Sequence, residues 1–321
     1  MANDTIYNQS FMSFLEEKIP HKATLIKTIT DILAIEKDAV YRRFRGEVSF
    51  TFAEMAVIAR NLGISLDVIA GIENIQSKPT RINISRQINP TDYDYEMFEG
   101  HVNLLKSIKD EDDTKIIETG NTFSHYIFYK YEYLTRFYLF KWNQISSSGD
   151  ALPYHKIIIQ ERLRNLQIET CEYAKYIEST HYVWDNMIFR RLVDNIIYFA
   201  QVRLINGEDV IRLKNDLTEL VNYVENLAAT GKHEETGNEV SIFISDMNTD
   251  MKYSCLKSKN TQLTLFWIYI LNAIVSTDSE VFNETYNWIQ SLQRMSTLIS
   301  ISGEKFRAEF FDKQRMIISE L

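Results

Sequence analysis

The chain has 321 residues, of which 45% are apolar and 25% charged, a composition typical of a globular protein of about two domains. It contains only 10 Gly and 4 Pro, so we expect few turns and long regular elements, which excludes collagen-like, propeller and Greek-key folds. The formal net charge of −9 excludes a protein that coats nucleic acid through its overall charge.

The cysteines and the apolar segments bear on cellular location. Cys171 and Cys255 are far apart and form no CxxC pair, so neither a disulfide framework nor a cysteine-based zinc site is expected. The N-terminal segment lacks the basic and apolar regions of a signal peptide. The longest uncharged apolar run, Leu263 to Val275, is shorter than the roughly 20 residues that span a bilayer, and we interpret it as a buried helix. We therefore expect a protein of the reducing cytoplasm that does not enter a membrane.

Five short helices are predicted in the first 70 or so residues. A stripe of Phe11, Phe14 and Leu15 recurs at the helical period, and this first helix ends at Pro20. The fourth helix has the strongest start signal in the chain, because Thr51 and Glu54 have the spacing of a capping box. The helices after the first are predicted at 22–33, at about 37–45 before Gly46, from the capping box to Leu62, and from Leu66 to near Gly71.

The segment that follows predicts a linker and then a long helical region. Residues 77–91 hold two of the four prolines and alternate Ile82 and Ile84 with polar residues, which indicates a linker with some extended character. Residues 92–236 are expected to be helical almost throughout. The charged run at 109–115 within them is interpreted as a solvated connection.

One later segment departs from the helical pattern. Apolar and polar residues alternate around Ile242 and again around Tyr253, which predicts a β-hairpin at about 239–258. Three further helices are expected at about 260–275, 278–299 and 302–319. The predicted fold class is therefore all-α, with a five-helix domain at 1–76, a linker at 77–91, and a larger helical domain at 92–321 that carries one small hairpin.

The charge changes sign sharply within the predicted third helix. Residues 37–45 hold four basic residues against Asp38 alone, a net charge of +3 in an acidic chain. Val40 and Phe44 lie four residues apart and are expected to face the core of the small domain. The opposite face is then formed by Lys37, Asp38, Tyr41, Arg42 and Arg45.

Two sequence segments in this region resemble the lambda-repressor-like, XRE-type helix-turn-helix family. This family is common at the N-termini of two-part bacterial transcription regulators. The two segments are Leu33-Ala-Ile-Glu-Lys-Asp-Ala-Val-Tyr-Arg-Arg-Phe-Arg-Gly46 and Phe52-Ala-Glu-Met-Ala-Val-Ile-Ala-Arg-Asn-Leu-Gly-Ile-Ser-Leu-Asp67. In that family a turn leads to a recognition helix that ends in Arg-Gly. Ala34 occupies the turn position at which the family usually has Gly, and Glu36 the cap position at which it usually has Ser or Thr. The resemblance covers about a fifth of the chain.

This resemblance implies sequence-specific binding of double-stranded DNA, with the helix at 37–45 in the major groove, where Arg can bond guanine O6 and N7. Arg42 and Arg45 are the expected base or phosphate contacts, with Lys37 and Tyr41 beside them and Arg43 as a flanking phosphate contact. The expected phosphate contacts near the start of the second helix are Lys22, Thr24 and Lys27.

A single module of this kind buries little area, so useful specificity usually needs two half-sites, and a homodimer is expected. The larger domain would dimerise, bind a peptide or small-molecule effector, or both. An alternative remains open, in which the protein is an adaptor or ligand sensor and the N-terminal block mediates protein contacts only.

The larger domain has no motif that indicates chemistry. The segment from Tyr126 to Trp142 is rich in aromatic residues, and we interpret most of them as part of the hydrophobic core. Arg294, Ser302 and Arg307 form a candidate anion site at a helix start, although an ordinary cap at Ser302 explains the same pattern. The six histidines form no metal-binding pair, and no phosphate-binding loop or nucleophile elbow is present, so no catalytic activity, metal or cofactor is predicted.

Overall fold

The chain divides into two compact units, Met1–Thr80 and Arg81–Leu321. The computed structural model describes residues 2–62, 64, 66, 81–83, 85–147, 151–247, 249, 251–268 and 271–321, with the backbone alone at 2–5 and 81–83. The predicted linker at 77–91 therefore lies partly outside the described residues. From Arg81 onward it belongs to the second unit.

Four helices make up the described part of the first unit. They are α1 (Ala2–Lys18), α2 (Lys22–Leu33), α3 (Lys37–Phe44) and α4 (Phe52–Leu62). They agree closely with the first four predicted helices, whereas the predicted fifth lies outside the described residues apart from Leu66. The apolar stripes meet in one small core whose fully buried members include Phe11, Leu15, Leu25, Ile26, Ile29, Val40, Phe50 and Ile58.

The connections around α3 are tight turns with defined local causes. α2 ends at Ala34, which adopts the left-handed conformation with φ 51°, and α3 begins after the three-residue connection 34–36. Gly46 follows α3 with φ 75°. The predicted capping box is present, because the Thr51 amide donates to Glu54 at 2.9 Å and the Glu54 amide donates to the Thr51 hydroxyl at 3.2 Å.

The backbone at Ala34 yields a prediction for stability. A left-handed conformation costs a residue with a Cβ about 1 kcal/mol or more, whereas glycine adopts it freely. We expect Ala34→Gly to stabilise the first unit by about 0.5–1 kcal/mol. Hydrogen exchange of peptides covering α2 and α3 measures this, with slower exchange expected. Ala39→Gly, inside α3, is the matched control and should speed exchange by a similar amount. Faster exchange in both variants would contradict the role given to Ala34.

In the part of the second unit that the structure describes, eight strands form one mixed sheet. The strands are β1 (Arg81–Asn83), β2 (Lys115–Gly120), β3 (Ser179–Asp185), β4 (Glu239–Ser245), β5 (Lys252–Lys257), β6 (Gln262–Ile268), β7 (Asn272–Ser276) and β8 (Thr297–Leu298). Their order is β1-β7-β6-β5-β2-β3-β4-β8. β2, β3 and β4 are parallel neighbours, and all other pairs are antiparallel.

Helices cover the sheet and connect its parallel strands. They are α5 (Asp92–Ile108), α6 (His125–Phe128), α7 (Glu132–Ser146), α8 (Glu161–Ala174), α9 (Ile188–Gln201), α10 (Gly207–Thr230), α11 (Ser279–Arg294) and α12 (Glu304–Ser319). α11 packs its Phe282, Ile289 and Leu292 against Ile117 and Val183 of the parallel strands. Most of the remaining helices build the largest core, which contains Trp184 of β3 and much of the aromatic segment 126–142. That segment is therefore largely core, as predicted.

The prediction of an all-α fold is wrong, because the second unit is α/β. β2 and β3 lie inside the region expected to be helical throughout, and nearly all of their residues are buried. Parallel strands are buried on both faces, so they lack the polar alternation that marks a half-exposed strand. A short apolar run of this kind cannot be told from a buried helix by its periodicity.

The predicted hairpin at 239–258 is also wrong, although both of its strands exist. β4 pairs with β3 and β8, while β5 pairs with β2 and β6, so the two strands are not neighbours. The helix expected at 260–275 is instead the antiparallel pair β6 and β7, whose connection lies partly outside the described residues. Within the described part of the chain, no helix combines the length and the apolar character needed to cross a bilayer.

Candidate functional site

The outer face of α3 is the first candidate site. Val40 is completely buried and Phe44 packs against the same core, as expected from their spacing. The residues predicted for the opposite face, Lys37, Asp38, Tyr41, Arg42 and Arg45, are all exposed to solvent. We call this set the α3 face. Lys22, Thr24 and Lys27 of α2 are exposed as well, and the Thr24 hydroxyl is bonded to the His21 ring at 3.0 Å.

Arg43 does not share this exposure. Its guanidinium makes two hydrogen bonds to the Glu54 carboxylate, at 2.6 and 3.2 Å, and donates to the Ala39 carbonyl at 2.9 Å. Burial raises the pKa of Glu54, but the hydrogen bonds from Arg43 and Thr51 outweigh it and hold that pKa below its usual value. Arg43, which was predicted to contact phosphate, thus joins α3 to the start of α4.

Arg42 and Arg45 share one carboxylate. Arg45 Nε lies 2.6 Å from Glu47 Oε1, and Arg42 Nε lies 3.4 Å from Glu47 Oε2. The hydrogen bond from Arg45 is the main cause that holds the pKa of Glu47 below its usual value. Both arginine side chains are nonetheless 58% exposed, and exposed ion pairs exchange readily with other acceptors. Glu47 therefore pairs with the same two guanidinium groups that the sequence predicts as DNA contacts.

The exposed charges of this region are balanced. Between residues 36 and 47 the exposed cations are Lys37, Arg42 and Arg45, and the exposed carboxylates are Glu36, Asp38 and Glu47. The net +3 read from residues 37–45 is lost because Arg43 turns inward and a carboxylate flanks each end. Any affinity for DNA therefore depends on the geometry of the two arginines more than on a broad positive field.

The candidate anion site of the second unit is not assembled as the sequence suggested. Arg294, at the end of α11, donates to the Ser291 hydroxyl at 2.7 Å, and Arg307 donates to the Ile299 carbonyl at 2.9 Å. The residue that caps α12 is Gly303, with φ 79°, and Ser302 makes no cap. The two arginines thus bond to separate partners, and Ser302 does not form the cap that the prediction required.

A buried polar cluster lies at the carboxyl end of β2. Glu118 and Lys252 are 1% and 3% exposed, with the ammonium 3.9 Å from the carboxylate, and the Ser254 hydroxyl donates to Glu118 at 2.7 Å. The ammonium lies 4.1 Å from the centre of the Trp267 ring. Burial lowers the pKa of Lys252 and Glu118 opposes that shift. A Cβ on Gly120 would lie 2.9 Å from the Lys252 side chain. Glycine at the end of β2 therefore leaves the space that the Lys252 side chain occupies.

Trp267 separates two cavities in this unit. One, of about 540 Å³, is lined by apolar and aromatic side chains together with the cations Lys141, Arg191 and Lys252. The other, of about 280 Å³, is mainly apolar and borders His101 and His125. Sequence reasoning found neither, because their residues come from segments far apart in the chain. The lone carboxylate of Glu118 inside the apolar β2 run is the signal that was overlooked.

Comparisons of the chain with protein-family models, with curated proteins and with solved structures give no match. Among the described residues, no group of histidine, cysteine, aspartate and glutamate side chains could hold a metal ion.

Proposed function

We propose that this protein is a cytoplasmic, sequence-specific DNA-binding transcription regulator that reads the major groove with α3. The proposal depends mainly on one observation. Arg42 and Arg45 project from one exposed face of a short helix whose other face is fixed in a core. Arginines in that position can make paired hydrogen bonds to guanine O6 and N7.

The local architecture supports this assignment. α2 and α3 are joined by the three residues 34–36, the connection length of a helix-turn-helix, and Ala34 has the left-handed conformation that the turn requires. Lys22 and Lys27 are exposed on α2 and available for phosphate contacts. The Arg43–Glu54 bonds fix α3 against α4, which lowers the entropy lost when α3 binds.

The protein is proposed to act as a homodimer, since one such module buries too little DNA surface for useful specificity and two half-sites one helical turn apart supply it. The second unit would supply the dimer contact or respond to an effector. With its own core and sheet, it is large enough to fold by itself.

Selection from a random duplex library with the full chain, followed by fluorescence anisotropy at two salt concentrations, tests the proposal. We expect one enriched sequence, with binding that weakens as salt rises. Arg42→Ala and Arg45→Ala should each weaken binding by about 1–3 kcal/mol if the residue pairs with a base. Lys313→Ala, an exposed cation on α12, is the control and should bind as the wild type does.

Glu47→Gln provides a test with the opposite sign. Removing this carboxylate frees both arginines and removes a repulsion of phosphate, so binding should strengthen. An unenriched library, or equal affinity in the wild type and all four variants, would exclude DNA reading by α3.

A second candidate function is an adaptor whose first unit contacts another protein. The balance of exposed charges between residues 36 and 47 favours it, because exposed arginines flanked by carboxylates suit a protein surface better than a polyanion. Under this alternative the library yields no enriched sequence, and Tyr41→Ala weakens capture of a protein partner without changing the fold.

A further inference from the structure

The larger of the two cavities lies at the carboxyl ends of the parallel strands. Asn121 and Thr122, which follow β2 directly, line it together with residues of α9, the helix that follows β3. In open α/β sheets this edge is where ligands bind, because the loops there diverge and leave a crevice. The volume of about 540 Å³ suits a small organic molecule.

The lining of this cavity carries an excess of positive charge. Arg191 Nη1 lies 2.9 Å from an Asp185 oxygen, and Lys252 faces Glu118 at 3.9 Å, but neither carboxylate lines the cavity. Lys141 makes no ion pair within the described part of the chain. Among the described residues, two carboxylates therefore offset three cations, and the positive charge of Lys141 remains.

Partial burial makes this excess charge costly. Lys141, which carries it, is partly buried, and burial lowers its pKa. A cation held out of water without a partner is destabilising, and an anion beside it removes much of that cost. The site therefore favours an anionic ligand over a neutral one of the same size.

The remaining lining residues indicate what else the ligand carries. Asn121, Asn195 and Thr122 offer amide and hydroxyl groups that can bond the hydroxyls of a sugar. Tyr138 and Trp267 supply aromatic surface beside them. An inorganic ion would fill only a small part of this volume.

We propose that this cavity binds a small phosphate monoester, of the sugar phosphate class, with the phosphate held between Lys141, Arg191 and Lys252. The three cations stand on α7, α9 and β5, so the bound phosphate would tie together two helices and the sheet. This goes beyond DNA binding, and it stands or falls independently, because its test contains no DNA.

Thermal unfolding of the full chain in a phosphate-free buffer tests the proposal. All four tryptophans lie in the second unit, so intrinsic fluorescence reports the unfolding of that unit. Ribose 5-phosphate should raise the midpoint in a saturable way, while ribose should not and inorganic phosphate should act more weakly. No shift with ribose 5-phosphate up to about 10 mM, or an equal shift with ribose, would overturn the proposal.

Two substitutions of Lys141 make the test specific. Lys141→Gln should weaken binding of ribose 5-phosphate at least about tenfold, because a charge-assisted contact is lost, and Lys141→Arg should keep most of it. Lys313→Gln, the exposed cation on α12, is the control. Far-UV circular dichroism and the midpoint without ligand establish that each variant is folded. Equal ligand-induced shifts in Lys141→Gln and the control would show that the anion acts elsewhere, and would contradict the assignment.

Discussion

Replacing Lys252 by methionine should destabilise the second unit by about 3–5 kcal/mol, because the Glu118 carboxylate is then left buried without its cation. The loss is a large share of the roughly 5–15 kcal/mol that holds an ordinary domain together. Urea unfolding followed by tryptophan fluorescence measures it.

Two companion variants separate this effect from the loss of a side chain. Lys257→Met removes an exposed cation from the same strand, paired with Asp113, and should cost about 0–1 kcal/mol. The double variant Glu118→Gln, Lys252→Met removes both buried charges and should recover much of the stability. If Lys252→Met unfolds at the same urea concentration as Lys257→Met, the buried pair does not have the assigned role.

The second unit should also lose stability in mild acid. Burial lowers the pKa of His101 and of His233 to about 4, against 6.5 for the unfolded chain. The unfolded state therefore binds more protons between these values, so the stabilising contribution is complete above pH 6.5 and is lost as the pH falls towards 4. Each histidine should lower the free energy of unfolding by about 1.4 kcal/mol for each pH unit of acidification in that window, or by about 3 kcal/mol in all by pH 4.

Urea midpoints between pH 7 and 5 check this expectation before most carboxylates titrate. His101→Phe and His233→Leu should each flatten the dependence on pH, since neither replacement can be protonated. His155→Asn, at an exposed position, should leave the slope as in the wild type. A slope unchanged in both His101→Phe and His233→Leu would contradict the assignment.

The first unit was predictable because its signals are local. Pro20, Gly46 and the Thr51–Glu54 box mark helix ends within a few residues, and the apolar stripes between them recur at the helical period. What the pattern could not provide was the direction of Arg43, since one turn of helix offers several rotamers and the choice depends on Glu54, eleven residues on. The exposed positive charge of residues 37–45 was overestimated for that reason.

The second unit was mispredicted because a sheet is defined by pairing between distant segments. β5 pairs with β2 across more than a hundred residues of sequence, and nothing local to either strand specifies that neighbour. The segment 262–276 is almost continuously apolar, and both a buried helix and two strands satisfy that composition.

The cavity could not be predicted from the sequence for the same reason as the sheet. Lys141, Arg191 and Lys252 belong to three separate elements, and only the crossing of those elements brings them to one space. Isolated basic residues within apolar segments can indicate such a site. The sequence alone does not show which of these residues lie close together in the fold.

Methylation interference on the selected duplex tests most directly whether α3 reads the major groove. A methyl group on guanine N7 blocks the acceptor that an arginine pairs with, so methylation at one or two guanines should abolish binding by the wild type. The interference at one of those guanines should disappear in Arg42→Ala or Arg45→Ala, because the contact is already absent. Binding that tolerates N7 methylation at every guanine would contradict major-groove reading by these two arginines.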